Sequence, residues 1–144
     1  MIKAVRHTGV VVRDLEKAAE FYRALGFIDD NQAIEEGGFI DSVVGLRDAK
    51  VEWIKLKAPD GYLLELLQYH SHPIEKQIIK QKSNQLGYSH LAFSVDNIDI
   101  VCEKIEEIGG SMVNSPTLTN DKKVKVAYCH DNEGNLIEIV EVFK

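Results

Sequence analysis

The chain has 144 residues, 44% of them apolar, enough for one sizeable core or two small linked ones. Seventeen basic against 23 acidic side chains leave a formal charge of −6 with no dense Lys/Arg block, which disfavours nucleic acid and anionic membrane as partners. No stretch is apolar enough for a signal peptide or a membrane span, and Cys102 and Cys129, without CxxC spacing, fit reduced thiols in a cytoplasmic protein.

In chain order, Val-rich apolar alternation over 3–12 predicts a strand. Asp14 is placed to cap a helix with the stripe Leu15, Ala18, Ala19, Tyr22 and Leu25, and Gly26 stops it. Strands are expected at 38–44, 50–57 and 62–69, the last two joined by the turn Pro59-Asp60-Gly61. Residues 70–87 are polar and read as a linker, with 73–82 compatible with a short helix. The pattern then restarts with a strand at 88–95. A helix follows, capped by Asn97, striped by Ile98, Val101, Cys102, Ile105 and Ile108, and ended by Gly109-Gly110. Strands at 111–114, 123–130 and 135–143 complete it, with the turn Asn132-Glu133-Gly134 before the last. The fold class is α+β, with a first βαβββ module over 1–69, the linker 70–87, and a second module over 88–144.

The restart is a repeat of residues as well as of elements. "HTGVVVRDLEKAAEFYRALG" (7–26) overlays "HLAFSVDNIDIVCEKIEEIG" (90–109) without a gap at an offset of 83. "DGYLLELL" (60–67) overlays "EGNLIEIV" (133–140) at an offset of 73. His7 thereby matches His90, and Glu65 matches Glu138.

Strand parity gives these four residues a direction. His7 shares a face with Gly9 and Val11, and His90 with Ala92 and Ser94, while Val10, Val12, Leu91, Phe93 and Val95 suit the helix side. A face lined by small residues leaves room for a ligand. Glu65 and Glu138 each sit inside an apolar strand, where a bare carboxylate is costly unless protonated, paired or bound to a cation. For one such Glu or His alone, a solvated face or a hydrogen-bonded structural role is the ordinary explanation. Recurrence at matched positions in both halves favours one divalent cation shared by two imidazoles and two carboxylates. Elsewhere, His70-x-His72 reads as a solvated loop pair, and His130 as a surface side chain or, less simply, a second base. Glu35 to Phe39 reads as a loop or lid, and Trp53 as core or interface. No P-loop, dinucleotide fingerprint or Ser-His-Asp arrangement is present.

Four stretches, "HTGVVVRDLEKAAEFYRALGF", "APDGYLLELLQY", "GYSHLAFSVDNI" and "DNEGNLIEIVEV", resemble the vicinal oxygen chelate superfamily over essentially the whole chain. That group includes glyoxalase I, methylmalonyl-CoA epimerase, extradiol dioxygenases and the fosfomycin and bleomycin resistance proteins. The resemblance implies paired βαβββ units forming a cupped mixed sheet around one metal, with His7, Glu65, His90 and Glu138 as ligands within one chain or across a homodimer. Mixed N/O ligands suit Zn, Ni, Co, Mn or Fe. A two-His, two-Glu set resembles glyoxalase I and, nearly as well, the epimerase. It implies a substrate with adjacent oxygens, proton abstraction next to a carbonyl, a metal-stabilised enediolate, and Glu138 or Glu65 as the base. Bacterial glyoxalase I commonly carries an Arg and an Asn for glutathione four residues after the first and second ligands. Those positions are Val11 and Tyr69 here, so the thiol cofactor departs from the pattern. The alternatives are a methylmalonyl-CoA-type epimerase and a non-catalytic resistance-type binding protein.

Overall fold

The computed structural model describes residues 1–143. By internal contacts the chain forms two compact units, Met1–Lys76 and Gln77–Lys144.

The first unit runs β1 (Thr8–Val11), α1 (Leu15–Ala24), β2 (Ile28–Glu36), α2 (Gly38–Val44), β3 (Lys50–Lys57) and β4 (Leu63–Tyr69). Its sheet has the order β1-β4-β3-β2, with β1 parallel to β4 and the remaining pairs antiparallel. The second unit runs β5 (Leu91–Ser94), α3 (Ile98–Glu107), β6 (Ser111–Met112), β7 (Thr117–Leu118), β8 (Val124–His130) and β9 (Leu136–Val142). Its order is β5-β9-β8-β6, with β7 also on β8, and β5 is again parallel to β9. The α+β class and the doubled βαβββ pattern are therefore present, each unit holding its own mixed sheet.

The repeat extends to single hydrogen bonds. Val12 N–H donates to Leu67 O at 2.8 Å, and Val95 N–H to Val140 O at 2.9 Å. Asp14 Oδ1 accepts from Lys17 N at 3.1 Å, as Asn97 Oδ1 accepts from Ile100 N at 3.1 Å, so both expected caps form. A further clamp is not legible from local pattern. The first helical N–H of each unit donates to a side chain of the last strand, Leu15 to Gln68 at 2.8 Å and Ile98 to Glu141 at 2.9 Å. These bonds satisfy helix-terminal donors that would otherwise be orphaned, and they tie each helix to its sheet.

Parity places the core as expected. Val12, Leu64 and Leu66 are at most 1% exposed on the helix side, whereas Val11 is 51% exposed on the other. Burying Leu64 and Leu66 against α1 contributes about 2 kcal/mol each.

Three local expectations are corrected. The expected strand at 38–44 is α2 instead, despite Ile40, Val43 and Val44. Its ends override β-propensity: Gly37 enters at φ 100°, Gly45 closes in the left-handed region at φ 70°, and Asp41 accepts from Asp48 N and Ala49 N at 3.0 and 2.8 Å. Ile40 is thereby buried with Ala49 and Val51. The missing strand is β2, an exposed edge with Asp29, Asp30, Glu35 and Glu36 and an irregularity between Asp29 and Asn31. An acidic edge lacks apolar alternation, and its charge discourages edge-to-edge pairing. Residues 73–82 form no helix. There Gln81 is tied into the second unit, its N–H donating to Gly134 O at 2.9 Å, its Oε1 accepting from Leu136 N at 3.2 Å, and its O lying 2.8 Å from His130 Nε2.

Candidate metal centre

In the first unit, β1 and β4 set Gly9 beside Glu65. Leu64 and Leu66 point to the helix side, so Glu65 projects from the opposite face and its side chain is 14% exposed. His7 arrives on the same face, with Nε2 3.0 Å from Glu65 Oε2. In the second unit, β5 and β9 set Ala92 beside Glu138, and His90 Nε2 lies 3.0 Å from Glu138 Oε2. The acids inside apolar runs thus point away from the core, each toward the imidazole of its own half.

Two donors bound about 2.1 Å from one ion at right angles lie about 3 Å apart, so each His–Glu pair has the spacing of neighbouring ligands. His90 is further prepared, because Nδ1 lies 3.0 Å from Ser89 Oγ. With an ion bound, a proton on Nδ1 donated to that hydroxyl would leave the Nε2 lone pair free to ligate it beside Glu138. The donor types and their spacing fit a divalent ion. Within each unit the set is one imidazole and one carboxylate, and among the described residues no group of three or more His, Cys, Asp or Glu gathers.

The neighbours of the two pairs differ. Lys55, directly across from Glu65 on β3, places Nζ 3.4 Å from Glu65 Oε1 and 4.5 Å from the Trp53 ring centre. Trp53 in turn donates Nε1–H to Glu35 Oε2 at 3.0 Å. Across from Glu138 on β8 stands Tyr128, its ring 4.9 Å from that of His90. Tyr128 and Glu138 share the wall of a cavity of about 420 Å³ with Thr117, Leu118, Thr119 and Val126. Its threonine hydroxyls are engaged locally, Thr117 with Ser115 O and Thr119 with Asp121.

The remaining candidates fall elsewhere. His70 pairs with Glu52 at 2.7 Å and His72 with Ser71 at 2.9 Å, so the two rings serve separate partners. His130 is neither on the surface nor in the cavity wall: it is 7% exposed and holds Gln81. The stretch Glu35 to Phe39, expected as a loop or lid, is the end of β2 and the start of α2. Cys102 and Cys129 are both buried and free; burial raises both thiols, that of Cys129 to about 12, which removes them as nucleophiles at neutral pH. Among the described residues no helix is long and apolar enough to cross a membrane.

Lys55, Tyr128, Ser89 and the Gln68/Glu141 clamp were not identified from sequence. The repeat offset of 73 pairs Lys55 with Tyr128, and that offset is the signal by which a search outward from the two acids would find them.

Comparison with known proteins gives four results. The family described as the glyoxalase/bleomycin resistance protein/dioxygenase superfamily matches residues 4–139. A probable lactoylglutathione lyase from Synechocystis sp. is 26% identical over 137 residues, 94% of this chain and 92% of that protein. The lactoylglutathione lyase of Escherichia coli O157:H7 is 35% identical over 55 residues, 38% of this chain and only 41% of that protein. Among solved structures, a glyoxalase family protein from Bacillus cereus superposes with a TM-score of 0.91 at 25% identity, covering 100% of this chain and 97% of the other.

Proposed function

The chain belongs to the glyoxalase/bleomycin resistance protein/dioxygenase superfamily, and from that membership we propose that it is a divalent-metal-dependent lyase or isomerase of the glyoxalase I type. The observation that carries this reading is the same His–Glu contact at 3.0 Å in both units, at repeat-matched positions. The relatives named lactoylglutathione lyase support the reaction class.

His7, Glu65, His90 and Glu138 would hold one ion (Zn, Ni, Co, Mn or Fe), within one chain or shared across a homodimer. When bound, the ion supplies Lewis-acid polarisation of a substrate carrying adjacent oxygens. The chain's own part is proton transfer and positioning. A carboxylate oxygen of Glu138 or Glu65 takes the proton from the carbon next to the carbonyl and returns it to the neighbouring carbon. Ser89 orients the His90 ring, and the Tyr128 ring walls the cavity beside Glu138. Two buried free thiols support a cytoplasmic setting. The competing reading is a non-catalytic binding protein. The Lys55–Glu65 contact favours it, since an ammonium satisfies that carboxylate without an ion.

The test is metal analysis of wild type and Glu138→Gln, with turnover of the methylglyoxal–glutathione hemithioacetal measured beside methylmalonyl-CoA. Wild type is expected to carry a site-bound divalent ion and turn over the hemithioacetal, with the variant slower by about 10³-fold. Turnover of methylmalonyl-CoA alone would replace the lyase by an epimerase. Folded protein without metal after reconstitution and without turnover would leave the binding protein.

A further inference from the structure

We infer that Lys55 is a resident competitor for the cation position beside Glu65, so that ion affinity is carried chiefly by His90 and Glu138. The inference rests on the metal-centre reading above and deepens it.

Both oxygens of Glu65 are engaged in the first unit, Oε2 by His7 Nε2 at 3.0 Å and Oε1 by Lys55 Nζ at 3.4 Å. The side chains of Lys55 and Glu65 are only 23% and 14% exposed, so solvent screens this pair less than a surface one. The Trp53 ring, 4.5 Å from the ammonium, adds a second attraction that keeps Lys55 in place. A divalent ion reaching Glu65 meets that positive charge at close range. Either the ion binds against repulsion, or Lys55 swings away and gives up both Glu65 and Trp53. Each route weakens binding.

The second unit lacks this obstacle. Tyr128 occupies the repeat position of Lys55 and stands directly across from Glu138 as Lys55 stands across from Glu65. Among the described residues Glu138 has the His90 contact and no ammonium partner, and the His90 ring is oriented by Ser89. Two equivalent backbone positions therefore carry opposite instructions for a cation. One half is loaded with an internal ammonium; the other is left with a carboxylate and an oriented imidazole.

The test is a Mn²⁺ titration, with free ion read from its electron paramagnetic resonance signal, on wild type, Lys55→Met, Lys55→Gln and Tyr128→Lys. Circular dichroism melts check folding, and Lys55→Gln serves should Lys55→Met fail to fold. Removing the ammonium is expected to tighten Mn²⁺ binding about tenfold or more, and Tyr128→Lys to weaken it by a similar factor. A dissociation constant for the folded Lys55 variants within about twofold of wild type, or weaker, overturns the inference and leaves the metal centre standing. Absence of saturable Mn²⁺ binding in both wild type and folded Lys55 variants overturns the metal-centre reading, and the inference with it.

Discussion

The two units share a backbone frame down to matched hydrogen bonds, and they part company at side chains that the frame does not constrain. Val12 to Leu67 and Val95 to Val140 are the same bond, as are the clamps from Leu15 to Gln68 and from Ile98 to Glu141. Opposite the acids the units diverge, with a lysine on an indole in one and a tyrosine beside a cavity in the other. Their turns diverge too. Around Gly61 the first unit is open, whereas in the second Gly134 lies under the segment held by Gln81. Ladder geometry and helix capping hold each acid at one place in the sheet. What faces that acid, and what covers the adjoining turn, is free to differ.

The most severe way to break this comparison is at the paired glycines. Both have positive φ, 90° at Gly61 and 88° at Gly134, but an added Cβ meets nothing within 4 Å at Gly61 and would lie 2.7 Å from Ile79 O at Gly134. Gly61→Ala should cost about 1 kcal/mol from conformation alone, and Gly134→Ala about 3 kcal/mol or more, read from urea unfolding. Equal losses would show that the covering segment does not bear on the turn.

A smaller contrast lies in the acids that pin those turns. Asp131, 3% exposed, accepts from Glu133 N, Asn135 N and Asn135 Nδ2 at 2.8–2.9 Å. Asp60 accepts from Tyr62 N at 2.9 Å on the surface. Asp131→Ala is expected to lose about 2 kcal/mol and Asp60→Ala less than about 1 kcal/mol by the same measurement.

The smallest effect separates the two helix caps by pH. Hydrogen bonding from the Lys17 backbone N–H holds the Asp14 carboxyl below its usual range. Its capping contribution is therefore complete above the unfolded carboxyl's range and fades as pH falls through the lower folded value. Asn97 carries no titrating group. Lowering pH from about 5 to about 2 should shift the Lys17 amide resonance by more than that of Ile100, whose acceptor is a neutral amide. Parallel shifts would mean that the helices fray together for another reason.

Much of this was visible in one dimension. The two capped helices, the strands expected at 50–57 and 62–69, and the repeat placing His7 with His90 and Glu65 with Glu138 all follow from patterns a few residues long or from self-similarity. Where reading along the chain failed, the deciding interaction lay outside the hydrophobic pattern of the segment itself. Val43 and Val44 argue for a strand, yet two glycines and the Asp41 bonds to Asp48 and Ala49 close a helix. Acidic β2 is a strand because β3 pairs with it. Polar His130 is interior because Gln81, 49 residues away, supplies a carbonyl.

Periodicity and duplication are local properties, so the chain alone could name the elements, the repeat and the four polar positions. Antiparallel register is a relation between distant segments, so only the folded sheets set Lys55 across from Glu65 and Tyr128 across from Glu138. Charge at a carboxylate depends on such neighbours within a few ångströms, whatever their separation along the chain.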